Sequence, residues 1–304
     1  MDLSIVIVNW NTRELLAQCL DSIPLAIGGL SYEVIVVDNA STDGSQAMVR
    51  NRFPWVTLVE NAENLGFVRA NNQAMALSRG RYVLLLNSDT VAPPQALARM
   101  VDFMDHRIDA GAAGPRLLNP DGTFQASYAD FPTLLSESLS AAGLNRWLYG
   151  PYHPSPSPHP NETRQPVDWV QGACLLVRRE ALDAIGLLDE GFWMYSEETD
   201  LCYRIHQAGW NVYYLPDVEI IHLGGASSRQ RQPESVAQLY RSKLRFFRKY
   251  QGPFQVHLLR AVIISVYLAK AILSLALSWL PAQRKATRRQ LRTTLLVWKG
   301  CLGI

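Results

Sequence analysis

Residues 81–90, RYVLLLNSDT, decide how the rest of the chain is read. From Tyr82 to Leu86 the run is apolar without a break, as in strands buried on both faces of a helix-covered sheet. It ends in Asn87-Ser88-Asp89, and polar residues just beyond a buried strand face the crevice where open α/β sheets bind ligands. Towards the N-terminus the pattern recurs twice. Residues 3–8 (LSIVIV) run into Asn9-Trp10-Asn11, and residues 33–37 (EVIVV) run into Asp38. Helices are predicted at about 13–22 behind a Thr12 cap, at 45–52, and at 67–79 with Ala70, Ala74 and Leu77 on one face. Residues 56–60 read as a short strand. Pro93 and Pro94 open the next helix, because proline is tolerated in a first turn. This alternation predicts an α/β fold with a mostly parallel central sheet and right-handed crossovers. Asn9, Asn11, Asp38 and Asn87 to Asp89 then all fall beyond strand carboxyl ends. Their shared placement says more than any one of them.

Towards the C-terminus the chain is less regular. Asn119-Pro120-Asp121-Gly122 is a turn signal. Residues 150–166 hold seven prolines or glycines and read as an exposed loop. Residues 167–177 read as one apolar strand with Gly172 and Ala173 at its centre. Helices are predicted at 179–185 and 197–208, and strands at 211–214 and 218–222. The four cysteines, Cys19, Cys174, Cys202 and Cys301, lie far apart without zinc-like spacing, which favours a reducing compartment over a disulfide framework. The apolar run at 3–8 follows Asp2 and is too short for a signal peptide, so the first domain is expected to be cytoplasmic.

Several stretches have the makings of a site. Asp89 at a strand end suits a divalent cation on a diphosphate, since hard ions take oxygen ligands; the alternative is a turn or cap aspartate. Asp38, followed by Asn39, suits a ribose or base edge, or an Asx turn. Asn64-Leu65-Gly66-Phe67, with Asn71 and Asn72 beyond it, reads as a tight turn bringing amides to the crevice, or as ordinary capping. Neither GxGxxG nor a Walker loop is present, which disfavours ordinary dinucleotide or P-loop chemistry. Glu197-Glu198-Thr199-Asp200 follows an aromatic run, Phe192-Trp193-Met194-Tyr195, and precedes a helix that Ser196 can cap. Aromatics there suit stacking on a sugar ring, and a carboxylate suits removal of a hydroxyl proton. His222 ends an apolar strand ahead of Gly224 and Gly225. It gains interest as an imidazole ligand only if Asp89 binds metal.

Taken in order, IVIVNWN, VDNASTDGS, NLGFVRANNQAM, VLLLNSDT, GACLLVRREALDAIGLLDEGFWMYSEETDLCYRIHQAGW and the histidine of IIHLGG resemble family 2 glycosyltransferases of the GT-A fold. They run from residue 5 to residue 222. Within that family the chain looks most like bacterial rhamnosyltransferases that build cell-surface polysaccharides from dTDP-rhamnose. The resemblance implies a Rossmann-like GT-A domain and an inverting, metal-dependent hexosyl transfer using Mn²⁺ or Mg²⁺. Asn9, Asn11, Asp38, Asn64, Gly66, Asn71, Asn72, Asn87 and Ser88 would bind the nucleotide-sugar donor. Asp89 matches the last acid of the Asp-X-Asp element and His222 a histidine that completes the metal site in some relatives. Glu198 stands at the base position, with Glu197 before it, while Trp193, Tyr195 and Asp200 would meet the acceptor, a lipid-linked or growing glycan. Two departures stand out: Asn87 replaces the first acid of Asp-X-Asp, and Glu197-Glu198 replaces the usual Glu-Asp. The same chemistry on another nucleotide sugar is one alternative. A non-catalytic nucleotide-sugar-binding assembly protein is the other.

The net charge of +2 conceals a split. Residues 1–222 hold 14 basic and 26 acidic side chains, whereas 223–304 hold 15 basic ones and a single acid, Glu234. Such asymmetry points to an anionic partner for the basic end. Residues 261–280 form a 20-residue apolar run broken only by Lys270, long enough to span a bilayer. Basic residues on both sides resist a single crossing under the positive-inside rule. The reading favoured is therefore an in-plane or peripheral attachment to the cytoplasmic face of the plasma membrane, with Lys270 and Arg260 reaching anionic headgroups. A soluble helical subdomain or oligomer interface is the alternative. No nucleic-acid-binding motif accompanies the basic surface. Two domains are expected, 1–225 catalytic and 226–304 helical and membrane-associated, with oligomeric state left open.

Overall fold

The structure, a computed structural model, describes residues 1–159, 161–224, 232–278 and 284–303. The predicted division at 225/226 lies outside the described residues. The chain forms two compact units. The first comprises Met1–Phe131, Tyr152–Gly191 and Glu197–Ser227, and the second Pro132–Pro151, Phe192–Ser196 and Ser228–Ile304.

In the first unit, β1 (Leu3–Asn9), α1 (Arg13–Ala26), β2 (Tyr32–Asp38), α2 (Ser45–Arg52), β3 (Thr57–Glu60), α3 (Phe67–Leu77) and β4 (Tyr82–Leu86) alternate as expected. β1, β2, β3 and β4 pair in parallel, with Asn9 beside Asp38 in register. The apolar runs are strands because both faces are covered: Leu3, Ile5 and Ile7 pack with Leu16, Leu20 and Ile23 of α1 in one continuous core. Next come β5 (Thr90–Val91), α4 (Ala96–His106), β6 (Ala110–Leu118), β7 (Phe124–Gln125) and β8 (Tyr128–Ala129). The rest of the unit is β9 (Gln165–Val167), β10 (Trp169–Val170), β11 (Cys174–Arg178), α7 (Arg179–Ile185), α8 (Glu197–Gln207) and β12 (Asn211–His222). Among the described residues the main sheet runs β3-β2-β1-β4-β11-β6-β12-β5, with β11 antiparallel to both neighbours.

Five local expectations change. The strand read at 167–177 is broken, because Gln171 to Ala173 leave the ladder between β10 and β11. The two strands read at 211–222 are one, bulged between Leu215 and Glu219. Leu77 is exposed, because α3 turns it away from the core that Ala70 and Ala74 enter. Helix α4 starts after left-handed Gln95, two residues beyond the prolines. Thr12 makes no cap hydrogen bond and serves the site instead.

In the second unit, α5 (Leu134–Ala142) and α6 (Asn145–Tyr149) are joined by α9 (Gln232–Tyr250), α10 (Pro253–Ala276) and α11 (Arg284–Leu302). Thr133 and Ser136 form a reciprocal cap at the start of α5. Leu244, Phe246, Phe247, Leu259, Ile263, Val297 and Cys301 are buried, and Tyr240 meets Tyr267 edge-on at 5.4 Å. Glu137 pairs with Lys243. Lys270 does not reach outward as expected. Its ammonium donates to the Ala141 carbonyl at 3.0 Å, where the end of α5 concentrates negative dipole charge.

Candidate active site

The ends of β1 and β2 form a closed polar network. Asn9 Nδ2 donates to Asp38 Oδ2 at 2.8 Å and to Ser41 Oγ at 3.1 Å. Asp38 Oδ1 accepts from the Ser41 N–H at 2.9 Å and from Gln46 Nε2 at 2.7 Å. Asn11 adopts φ 53°, a conformation asparagine tolerates, and its Oδ1 accepts the Thr42 N–H at 2.8 Å. Asn39, next to Asp38, clips the following turn: its Nδ2 donates to Asn64 Oδ1 and the Gly66 carbonyl, and its Oδ1 accepts from Leu65 N–H. Gly66 has φ 89° and ψ 165°, a region open essentially to glycine alone.

The network continues to the end of β4. The Thr12 hydroxyl donates to Asn9 Oδ1 at 2.7 Å and lies 3.0 Å from Ser88 Oγ. Asp89 is 8% exposed. β12 pairs antiparallel with β5, setting His222 opposite Thr90, and Leu223 N–H bonds the Asp89 carbonyl at 2.8 Å. His222 Nε2 thereby comes within 3.3 Å of Asp89 Oδ1, with Asn87 Nδ2 at 3.5 Å. The other ring nitrogen, Nδ1, meets Gln125 Oε1 at 2.6 Å. A carboxylate oxygen and an imidazole nitrogen thus converge on one point, a donor set that suits Mn²⁺. Among the described residues no third His, Cys, Asp or Glu joins them. The pair fits an ion whose remaining positions a diphosphate and water would fill.

Beside β4 stands the break between β10 and β11. Ala173 O accepts the Asn87 N–H at 3.0 Å, and Gly172 lies against Glu198. A Cβ at Gly172 would sit 3.4 Å from Glu198 Cβ and 3.7 Å from its carboxyl carbon. A side chain at Gly172 would thus come into ordinary van der Waals contact with Glu198. Glu197 and Glu198 open α8, and the Oε2 of each is buried without a hydrogen-bond partner among the described residues. Burial pushes both carboxyls up from the ordinary glutamate range, and the charge of Glu198 pushes Glu197 further. Glu198 is offset by backbone N–H donors from itself, Thr199 and Gly172. Glu198 thus has more backbone donors to its ionised form than Glu197, which has only its own N–H. Tyr195 and Ser196, immediately before α8, both have positive φ, 72° and 63°. Two consecutive non-glycine residues in that region mark a strained approach to the helix.

The structure gives three predicted site residues other work. The Asn72 amide both donates to the Leu188 carbonyl and accepts its N–H, so it braces residues 188–190 instead of facing a donor. Asp200 is completely buried and held by Arg204 at 2.9 Å, which removes it from acceptor contact. Asn71 turns back on its own helix, donating to the Phe67 carbonyl at 2.9 Å. Trp193 and Tyr195 belong to the second unit, where Trp193 is exposed. Thr12, Asn39, Gln125 and Gly172 enter the site unannounced. Only Gly172 left a signal, a glycine pausing a buried strand.

The family model described as glycosyl transferase family 2 matches residues 4–186. The chain is 32% identical over 245 residues to N-acetylglucosaminyl-diphospho-decaprenol L-rhamnosyltransferase of Mycobacterium tuberculosis, covering 77% of this chain and 79% of that one. It is 26% identical over 174 residues to rhamnosyltransferase WbbL of Escherichia coli, covering 54% and 63%. In fold it is similar to the mannosyltransferase PcManGT of Pyrobaculum calidifontis, solved with GDP-Man and Mn²⁺. The TM-score is 0.56 at 19% identity over 98% of this chain and 86% of that one. The GT-A fold that the resemblance implied is thus the one observed, and the chain belongs to glycosyl transferase family 2 as a rhamnosyltransferase-like member.

Proposed function

We propose that this glycosyltransferase moves rhamnose from dTDP-rhamnose to a lipid-linked or growing glycan, inverting the anomeric centre with the help of a divalent metal. The observation that carries the mechanism is continuity. Asp38, Asn9, Thr12 and Ser88 lead to Asp89 and His222, while Asn87, Ala173 and Gly172 lead to Glu198, all through neighbouring bonds or packing. A charged leaving group and a proton acceptor are thereby served at one strand end.

Asp38, Asn39 and Gly66 shape the rigid floor of the donor site. Asp89 and His222 would hold the metal, which when bound supplies positive charge to the departing diphosphate. Glu198, ionised beside a protonated Glu197, takes the proton of the acceptor hydroxyl as that oxygen attacks the anomeric carbon from the face opposite the diphosphate. The bond to the diphosphate breaks as the new glycosidic bond forms. One displacement inverts the centre. The mycobacterial relative, named for adding L-rhamnose to a diphospho-decaprenol-linked sugar, supports rhamnose as the sugar and a lipid-linked acceptor. Purified protein offered a panel of nucleotide sugars with Mn²⁺ and a lipid-diphosphate-linked N-acetylglucosamine tests it. Transfer from dTDP-rhamnose with inverted anomeric configuration is expected. Transfer from a different donor alone would replace the sugar, and no transfer from any donor would leave only binding.

Attachment to the cytoplasmic membrane face is the second part of the proposal. Helix α10 is 24 residues, about 36 Å long, with a mean hydropathy of 1.9 across its most apolar 18-residue window and most of that window unburied. Ile272, Leu273 and Leu275 are more than half exposed, as is Trp147 of α6 in the same unit. Basic side chains dominate the surrounding sequence, which suits an anionic surface. In flotation with vesicles containing anionic phospholipid, the full chain should rise with the lipid. Ile272→Glu with Leu273→Glu should stay behind. Equal recovery of the two would remove α10 as the attachment.

A further inference from the structure

The orientation of His222 is fixed by a relay that begins at Asp121. Thr123 donates both its N–H, at 3.0 Å, and its hydroxyl, at 2.6 Å, to Asp121 Oδ1. These bonds hold the Asp121 carboxyl below the usual carboxylate range, so it is an acceptor only. With its proton committed, the Thr123 hydroxyl accepts, and Asn119 Nδ2 donates to it at 3.0 Å. That sets the Asn119 amide: its Oδ1 must face Gln125 Nε2, which lies at 3.0 Å and also points at the His222 carbonyl at 3.4 Å. The Gln125 amide is then set in turn, with Oε1 towards His222 Nδ1 at 2.6 Å. An amide oxygen cannot donate, so Nδ1 carries the hydrogen.

The consequence appears on the other side of the ring. In the neutral ring Nε2 then presents a lone pair, with the donor Asn87 Nδ2 at 3.5 Å and an oxygen of Asp89 at 3.3 Å. In the opposite tautomer Nε2–H would donate to Asp89 and could not ligate a cation. We propose that Gln125 is a positioning residue. It holds the neutral His222 ring in the Nδ1–H tautomer, so that the Nε2 lone pair stands beside the Asp89 carboxylate, where the two can ligate a divalent cation. This rests on the metal reading of Asp89 and His222. Partners of this kind on a ligating histidine are worth about 10–100-fold in metal affinity.

The test uses the full chain and two readouts. The first needs no metal: long-range ¹⁵N–¹H correlation of the histidine rings at a pH where His222 is neutral, with His222→Asn identifying the signals. Wild type and Gln125→Glu should show Nδ1–H, and Gln125→Leu should show Nε2–H. The second is Mn²⁺ titration by electron paramagnetic resonance with dTDP present. Gln125→Leu should bind about 10–100-fold more weakly with its melting temperature little changed, and Gln125→Glu should recover the affinity. Wild-type tautomer or wild-type affinity in Gln125→Leu, while Asp89→Asn binds weakly, overturns the role of Gln125 and leaves the metal pair standing. Unchanged affinity in Asp89→Asn overturns both.

Discussion

Asp38 and the Glu197–Glu198 pair are acids with buried carboxyl oxygens beside the same sheet, and they have opposite surroundings. Asp38 receives donors from Asn9, Ser41 and Gln46. Each glutamate keeps one buried oxygen with no hydrogen-bond partner among the described residues. A satisfied buried carboxylate rigidifies what surrounds it, whereas an unsatisfied one is costly and persists where chemistry needs it. The difference separates scaffold from reagent more sharply than residue type does.

The largest effect that would sharpen this contrast is on turnover. Glu198→Gln should lower kcat about 10²-fold or more, the scale of a lost general base, while donor affinity measured by calorimetry stays unchanged. Near-wild-type kcat would erase the distinction. Asp89→Ala comes next. It should weaken Mn²⁺ binding in the presence of dTDP by at least about 10-fold, and transfer should require correspondingly more metal. Full activity in excess chelator would break the link between the Asp89–His222 pair and the reaction. Asp38→Leu acts on the scaffold side. It leaves the donors of Asn9, Ser41 and Gln46 without their acceptor, so unfolding in urea should show a loss of about 1–3 kcal/mol. Unchanged stability would mean that the closed network is incidental.

The smallest effect is the pH dependence of stability. The glutamate pair has carboxyls raised above the ordinary value of 4.5. Between that value and the raised one, the native state binds more protons than the unfolded chain. Stability from this pair therefore falls as pH rises through the window. Glu197→Gln should raise the melting temperature at pH 8 more than at pH 5. The reverse order would contradict burial as the cause of the shift.

Much of the first unit was readable because unbroken apolar runs can only be strands covered on both sides, and because polar residues at their ends have one place to go. That logic picked out Asp38 and Asp89, whereas Glu198 was named from an acidic helix start and the family resemblance. It failed where partners are distant in sequence. Gln125 lies 97 residues from His222, and nothing near either one signals that hairpin β6–β7 returns a glutamine to the ring. It failed for Asn72 and Asp200 for a related reason. An amide or an acid at a helix start looks alike whether it meets a ligand or braces a loop, and only Leu188 and Arg204 decide it. The second unit collects residues 132–151 and 192–196 along with the C-terminal helices, and no composition change marks those insertions.

The pH–rate profile of wild type and Glu198→Gln tests the central claim most directly. If Glu198 is the ionising member of the buried pair, wild-type kcat falls on an acid limb lying above the ordinary glutamate range, and the residual activity of Glu198→Gln lacks that limb. Persistence of the same limb in Glu198→Gln would assign the proton acceptor elsewhere and contradict the account.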